Sequence, residues 1–123
     1  MPLTAADETS VMAEPYLTQL KSLADQWISA DQRIGPLECR HFFSGAAVYR
    51  NGVMVASLTP VGLAFKVPVE VHDELLNSDL ASPLRYFPKA PIKRDYVLFP
   101  AVEDLDARSG ARLLLGGFPR FGS

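Results

Sequence analysis

The sequence has 123 residues, with 12 Lys and Arg against 14 Asp and Glu, and a formal net charge of −2 at pH 7. Hydrophobic residues make up 48% and charged residues 21% of the chain, a composition typical of one globular domain and not of a disordered, collagen-like or coiled-coil chain. The near-neutral charge also argues against a general polyanion-binding protein.

Cysteine usage and hydropathy bear on the compartment. The chain has one cysteine, Cys39, with no second cysteine to form a disulfide, and a lone thiol is typical of a reducing cytosol. No apolar run approaches the roughly 20 residues that a membrane-spanning helix needs. The first ten residues carry acids where a secretory signal peptide carries bases. We therefore expect a cytoplasmic protein that is not embedded in a membrane.

The first predicted element is a helix that begins at Glu14. Its apolar residues recur at spacings of three and four and form one stripe, which consists of Leu17, Leu20, Leu23, Trp27 and Ile28. Pro15 fits the first turn, where its missing N–H costs nothing; a start as early as Ser10 is an alternative that places Pro15 in the interior. Residues 31–36 end the helix, and residues 1–13 are predicted to be a flexible tail.

The next part of the chain is predicted to form antiparallel strands. Residues 37–43 alternate in polarity, which gives one face Leu37, Cys39, His41 and Phe43. The other face then carries Glu38, Arg40 and Phe42. Asn51-Gly52 is a strong hairpin signal between predicted strands at residues 46–49 and 53–58. A second turn at residues 59–62 leads to a strand at residues 63–67.

The second half of the chain contains two further helices and two further strands. Residues 69–80 have helical spacing in their apolar positions, which are Val71, Leu75, Leu76 and Leu80. Residues 84–87 and 95–99 are predicted strands, the latter rich in aromatic and β-branched residues. A final helix follows Pro100 and includes Gly110, and residues 116–123 are predicted to be a second flexible tail.

The order of these elements defines the predicted fold class. Two hairpins within about 30 residues need no crossover, so this part of the sheet is expected to be antiparallel. The chain is predicted to be one α+β domain, residues 1–123, with a core at about residues 14–115. Its two layers are an antiparallel sheet and the helices that cover it, in the order α-β-β-β-β-α-β-β-α.

Two segments resemble the N-terminal domain of the TfoX/Sxy family. Residues 38–58 are similar to the family's aromatic-Gly-Gly signature, hairpin and returning apolar strand, with Ser44 in place of the first glycine. Residues 83–89, Pro-Leu-Arg-Tyr-Phe-Pro-Lys, are similar to its Pro-Phe-Arg-Tyr-x-Pro-Lys segment, although Ala90-Pro91 replaces the glycine that usually follows. The resemblance covers about residues 14–115 in the family's order.

The resemblance implies both a fold and a role. The fold is a two-layer α+β domain of the secretion-chaperone-like kind. Full-length TfoX proteins regulate natural-competence genes and carry a second, C-terminal helical domain, so we expect this chain to be a stand-alone N-terminal domain. The implied role is regulatory, linked to competence or transcription, and the family supplies no catalytic residues.

A basic and aromatic segment, residues 85–96, contains the candidate binding residues. These are Arg85, Tyr86, Lys89, Lys93, Arg94 and Tyr96. Cations interleaved with rings suit contact with phosphates and stacking on bases, so binding of nucleic acid or of a phosphate-bearing ligand is an alternative function. In the other interpretation, the cations are solvated or pair with acids at residues 103–106, and the rings complete the core; the slight overall acidity favours this second interpretation.

The sequence gives little indication of a metal site, a cofactor or an enzyme. Cys39 and His41 share a predicted strand face, but a zinc site needs three or four ligands and the only other histidine, His72, lies at a helix start, where we expect it to be exposed. Cys39 is expected to pack as a small apolar residue. The sequence lacks a nucleophile elbow, a P-loop and a dinucleotide fingerprint, and Asp104 and Asp106 are expected to cap a helix.

The C-terminal leucines leave two alternatives open. Leu113, Leu114 and Leu115 cannot all face inward on one surface helix, and Phe118 and Phe121 follow them. Either the helix is covered on two sides, or part of this surface contacts a partner. The sequence therefore predicts a non-enzymatic domain that acts through an unidentified protein partner or as a homodimer, without metal or cofactor.

Overall fold

The computed structural model of the protein describes residues 5–85, 89–101 and 105–117, and within these ranges the side chains from Pro15 onward. In chain order the elements are α1 (Ala5–Ala30), a 3-10 turn (Gln32–Ile34), β1 (Glu38–Phe42), β2 (Gly45–Arg50), β3 (Val53–Thr59), β4 (Gly62–Lys66), α2 (Val69–Asn77), β5 (Ser82–Leu84), β6 (Lys93–Phe99) and α3 (Ala107–Leu114). The predicted order of helices and strands is confirmed.

The strands form one open sheet in the order β1-β2-β3-β4-β6-β5. Each neighbouring pair is antiparallel. Strands β1, β2, β3 and β4 follow one another as consecutive hairpins, and β6 lies between β4 and β5. One edge of this sheet is the five-residue β1, and the other is the three-residue β5, which contains Pro83. The predicted two-layer α+β class with an antiparallel sheet is confirmed.

Helix α1 is longer than the apolar stripe indicates. It begins at Ala5, so the predicted start at Glu14 is wrong and the exposed Pro15 lies inside the helix. A proline in a helix interior costs about 3 kcal/mol relative to alanine, which is why a sequence rule places it in the first turn. Here the helical residues before it, 5–14, include three alanines, two glutamates and one methionine, which have high helix propensity.

The turn between β2 and β3 has the backbone that its sequence predicts. Asn51 and Gly52 both have positive φ, 53° and 80°, as a two-residue type I′ hairpin requires. The pairing register shifts between Val48 and Tyr49, which marks an irregularity on the same hairpin. The predicted hairpin turn at Asn51-Gly52 is therefore confirmed.

Replacing Gly52 with valine is expected to destabilise the protein by about 1–2 kcal/mol, because a β-branched residue resists the left-handed backbone that this position adopts. In the described part of the chain, no atom outside the adjacent residues lies within 4 Å of an added Cβ, so steric contact does not contribute. Urea denaturation measures the change, with Gly52→Asn as the control, since asparagine tolerates positive φ. Equal stability of the valine and asparagine variants would contradict this.

The core lies between the sheet and the helices. Helix α1 packs on β2 and on α3, and α2 packs on β6. The indole of Trp27, 1% exposed, lies 5.3 Å from the ring of Phe65, and Phe65 in turn makes an edge-to-face contact with Phe99 at 6.0 Å. This row of rings joins α1 to β4 and β6 and fixes the helix layer on the sheet.

Helix α3 is the last described helix, and it packs against both α1 and β4. Asp106 caps its N-terminus by accepting a 2.7 Å hydrogen bond from the backbone N–H of Ser109, as predicted for this acid; Asp104 lies outside the described residues. Leu113 and Leu114 are buried and Leu115 is half-buried against the core. For these three leucines, the alternative of a helix that is covered on two sides therefore holds. Phe118 and Phe121 lie outside the described residues.

Helix α2 and strand β5 also have bounds that differ from the predicted ones. Helix α2 ends at Asn77, three residues before the predicted end, and Asp79 adopts a positive φ of 56° just beyond it. Strand β5 spans Ser82–Leu84 and shares only Leu84 with the predicted strand at residues 84–87. The backbone rule that confines proline to strand edges is satisfied, because Pro83 lies on an edge strand. Residues 86–88 are outside the described part of the chain.

Candidate functional site

The face of the sheet that points away from the helices, here called the outer face, carries its own apolar cluster. Side chains alternate between the two faces along each strand. The outer-face cluster consists of the buried residues Ala64, Leu84, Tyr96 and Leu98, with Met54 and Val61 packed against them. An antiparallel sheet in contact with water on one side usually has polar residues there, so this face requires an explanation.

A groove of about 990 Å³ lies on the outer face, and we call it the outer groove. Its walls come from the β1–β2 turn, the β3–β4 turn and the segment that leads into β6. The described lining residues are Phe42, Phe43, Ser44, Met54, Thr59, Pro60, Val61, Ala90, Pro91, Lys93, Asp95 and Tyr96. Apart from Lys93 and Asp95 this lining is uncharged and mostly apolar, which is typical of binding sites.

Two adjacent phenylalanines form one wall of the outer groove. The rings of Phe42 and Phe43 lie 4.5 Å apart at an interplanar angle of 59°. Phe43 is 74% exposed, the largest exposed fraction among the described large apolar residues, and its φ of 50° places it in the left-handed region. A bulky residue in this region is strained, and such strain is concentrated at functional sites.

The structure separates the candidate binding residues of the basic and aromatic segment into three groups. Tyr96 is 8% exposed, and its hydroxyl donates to the carbonyl oxygen of Met54 at 3.4 Å, so its ring completes the outer-face cluster. The guanidinium of Arg85 donates to the carbonyl oxygen of Ala90 at 3.3 Å and so braces the loop. Tyr86 lies outside the described residues.

The third group consists of three exposed cations, Lys89, Lys93 and Arg94. Within the described ranges none of them has a carboxylate within 4.0 Å. Of the acids at residues 103–106 with which they were alternatively expected to pair, Asp106 does not pair with them, and Glu103 and Asp104 lie outside those ranges. Lys93 lines the outer groove, and Lys89 and Arg94 are the chain neighbours of lining residues.

Elsewhere on the outer face the charges of β1 compensate each other. The guanidinium of Arg40 donates two hydrogen bonds to the carboxylate of Glu38, at 2.9 and 3.0 Å, and lies 5.0 Å from the centre of the Tyr49 ring. The hydrogen bond from Arg40 lowers the pKa of the Glu38 carboxyl below its ordinary value. Because both side chains are exposed, this pair contributes little to stability, and it leaves the edge strand without net charge.

Cys39 and His41, which share a predicted strand face, differ in burial. Cys39 is half-buried against the core, as expected, while His41 is exposed. Among the described residues, no group of three or more His, Cys, Asp or Glu side chains is arranged to hold a metal ion. The thiol therefore lies where a small apolar side chain would lie.

Burial raises the pKa of the Cys39 thiol above its ordinary value of 9.0, with a smaller lowering contribution from Lys21 and a raising one from Asp25. Since the thiolate is the reactive form, we expect iodoacetamide at pH 7 to alkylate Cys39 several-fold more slowly in the folded protein than in urea. The raised pKa also implies that the free energy of unfolding falls as the pH rises through 9. The Cys39 thiol loses its proton at a lower pH in the unfolded chain than in the folded one, and this favours unfolding. Equal alkylation rates in the folded protein and in urea would contradict the burial of the Cys39 thiol.

His72 is not exposed, so the prediction made from its position at a helix start is wrong. It is 6% exposed on α2, and its Nδ1 lies 2.9 Å from Oδ1 of Asp73. Its Nε2 has no hydrogen-bond partner among the residues that the structure describes. The physical reason is that the imidazole belongs to the buried side of the short helix α2 together with Val71 and Leu75. Sequence position at a helix start does not reveal which side of the helix is covered.

Comparison with known proteins adds no relative. Neither a protein-family model, nor a characterised protein, nor a solved structure matches the chain. In the described part of the chain, α1, α2 and α3 all fall short of the length and apolarity that a membrane-crossing helix requires. The fold and the site thus define an α+β domain with an apolar groove on the outer face of its antiparallel sheet.

Proposed function

We propose that this chain is a non-enzymatic regulatory domain of the TfoX N-terminal kind, which acts in the cytoplasm by binding another protein. The two sequence segments that resemble the family, in the family's order, support this role, which is linked to competence or transcription. The observation that carries the proposal is the outer groove, with the exposed ring of Phe43 at its wall.

The physical argument concerns what an open apolar groove is suited to bind. Large apolar patches on a folded domain usually mark interaction sites, and aromatic side chains dominate the energetics of protein interfaces. Phe43 keeps its ring 74% exposed on a strained backbone, an arrangement that folding alone does not favour. A partner that covers this ring would remove its exposed apolar surface from water.

Affinity capture from a lysate of the source organism tests the proposal. We expect the unaltered protein to enrich a defined set of proteins that Phe43→Asn does not enrich; asparagine tolerates the positive φ at this position, so the backbone is retained. Val53→Ser is the matched control, because Val53 is also exposed, at 49%, and lies outside the groove lining. Identical capture by the unaltered protein and Phe43→Asn would contradict the proposal.

A second candidate function, binding of nucleic acid or of a phosphate-bearing ligand, rests on the exposed cations Lys89, Lys93 and Arg94. Their lack of a carboxylate partner in the described ranges favours contact with an anion. Titration with single- and double-stranded oligonucleotides at low and moderate salt decides it, because charge-driven binding weakens steeply as salt rises. Absence of binding at low salt removes this candidate.

A further inference from the structure

The charge around the outer groove differs from the charge of the whole chain. Lys93 lines the groove, and Lys89 and Arg94 lie on the same segment. Alternation along β4 places Lys66 on the outer face with Ala64, and Lys66 pairs in register with Tyr96, a lining residue of the groove. Among the described residues, four cations thus line the groove or adjoin a lining residue in sequence or register, against the single lining carboxylate of Asp95, although the chain carries a net charge of −2.

This excess of positive charge is not used inside the described structure. Within the described ranges the four cations Lys66, Lys89, Lys93 and Arg94 have no carboxylate within 4.0 Å, whereas Arg40 on β1 is paired with Glu38. Complementary potentials select partners and speed their encounter. The occupant of the groove should therefore carry negative charge.

The shape of the groove indicates the size of the occupant. A small molecule is usually enclosed over most of its surface, but the walls here are low, since Phe43, Pro60 and Pro91 are exposed. A longer occupant can place a few apolar groups in the groove while the rest of it remains in water. A peptide segment satisfies this condition, with its acidic groups in reach of Lys93 and Arg94.

We propose that the outer groove binds an acidic peptide segment that carries large apolar side chains, an inference that rests on the proposed protein-binding function and names the chemistry of the partner. The apolar side chains lie against Phe42, Phe43 and Met54. The carboxylates of the segment lie next to the cations at residues 89–94. Apolar contact provides most of the affinity, and charge provides the selectivity for acidic partners.

Two fluorescent peptides test this proposal by anisotropy titration. The acidic probe alternates leucine and phenylalanine with aspartate and glutamate, and the basic probe has lysine at every acidic position. We expect the acidic probe to bind and the basic probe to bind at least about tenfold more weakly, a difference of about 1.4 kcal/mol. Equal affinities, or no binding of either probe, would overturn the proposal.

Variants separate the contribution of apolar contact to probe binding from the contribution of charge. Phe43→Asn should weaken the acidic probe about thirtyfold, as expected for loss of an aromatic anchor. The double substitution Lys93→Glu and Arg94→Glu should reverse the preference, so that the basic probe binds more tightly than the acidic one. Lys21→Glu, an exposed lysine on α1, is the matched charge-reversal control and should leave both affinities unchanged. An unchanged preference in the double variant would also overturn the proposal.

The remaining outcomes distinguish this inference from the function on which it rests. If lysate capture depends on Phe43 but neither probe is preferred, protein binding stands and the acidic chemistry is wrong. If capture is independent of Phe43, the proposed function itself fails. Displacement of the acidic probe by a single-stranded oligonucleotide, or a Phe43-dependent dimer in analytical ultracentrifugation, would assign the groove to nucleic acid or to a second copy and would overturn the proposal.

Discussion

Replacing Trp27 with alanine is expected to lower the free energy of unfolding by about 3–5 kcal/mol. Trp27 is 1% exposed and heads the set of large, fully buried side chains. Its indole contacts the ring of Phe65 on β4 and lies against Gly110 of α3. The substitution removes the group on which α1, α3 and the sheet all pack, and leaves a cavity that rigid secondary structure cannot close.

Urea denaturation followed by circular dichroism measures this loss. Gln26→Ala, an exposed neighbour on the same helix, is the control and should change stability by less than about 0.5 kcal/mol. A Trp27→Ala variant as stable as the control would mean that α1 does not dock on the sheet through this side chain.

Replacing Gly110 with alanine is expected to destabilise the protein by about 2–3 kcal/mol, at the upper end of the usual cost of overpacking. An added Cβ would lie 2.2 Å from Nε1 and 2.7 Å from Cδ1 of Trp27, far inside van der Waals contact. In an isolated helix the same change would stabilise by about 1 kcal/mol, because alanine has the higher helix propensity. A net loss of stability in Gly110→Ala would therefore show that α3 closely approaches the indole of Trp27.

A double-mutant cycle isolates that contact. In the Trp27→Ala background the added methyl group has room, so Gly110→Ala should cost little there or become stabilising. Gly117→Ala is the matched control outside α3, where an added Cβ meets only the Arg112 carbonyl oxygen at 3.4 Å. Additive effects of the two substitutions would show that α1 and α3 do not meet at this point.

Sequence reasoning succeeds here where local chemistry decides the structure. The Asn51-Gly52 turn needs two positive φ angles, and those two residue types supply them. The cap at Asp106 likewise depends on a neighbouring backbone N–H. Pro15 is the exception, because a strong local preference was overridden by the helix-forming residues on its N-terminal side.

The outer groove could not be found in the same way. It brings Phe42 and Phe43 beside Ala90, Pro91 and Lys93, residues about fifty positions apart, and their proximity depends on the order of all six strands. Alternation did place Phe42 on the outer face, and the basic segment at residues 85–96 indicated Lys93. The same alternation predicts Phe43 on the opposite face, with Cys39, because it does not anticipate that the strand ends at Phe42 and the turn begins.

The unequal edges of the sheet set a limit on self-assembly. Growth of a fibre by sheet continuation requires two usable edges on each molecule, one to donate and one to accept. In the described sheet, β5 is three residues long and contains Pro83, whereas β1 is five residues long and has no proline. Pairing of β1 with β1 is two-fold symmetric and closes on itself, so any association by this route stops at two molecules and does not propagate into a filament.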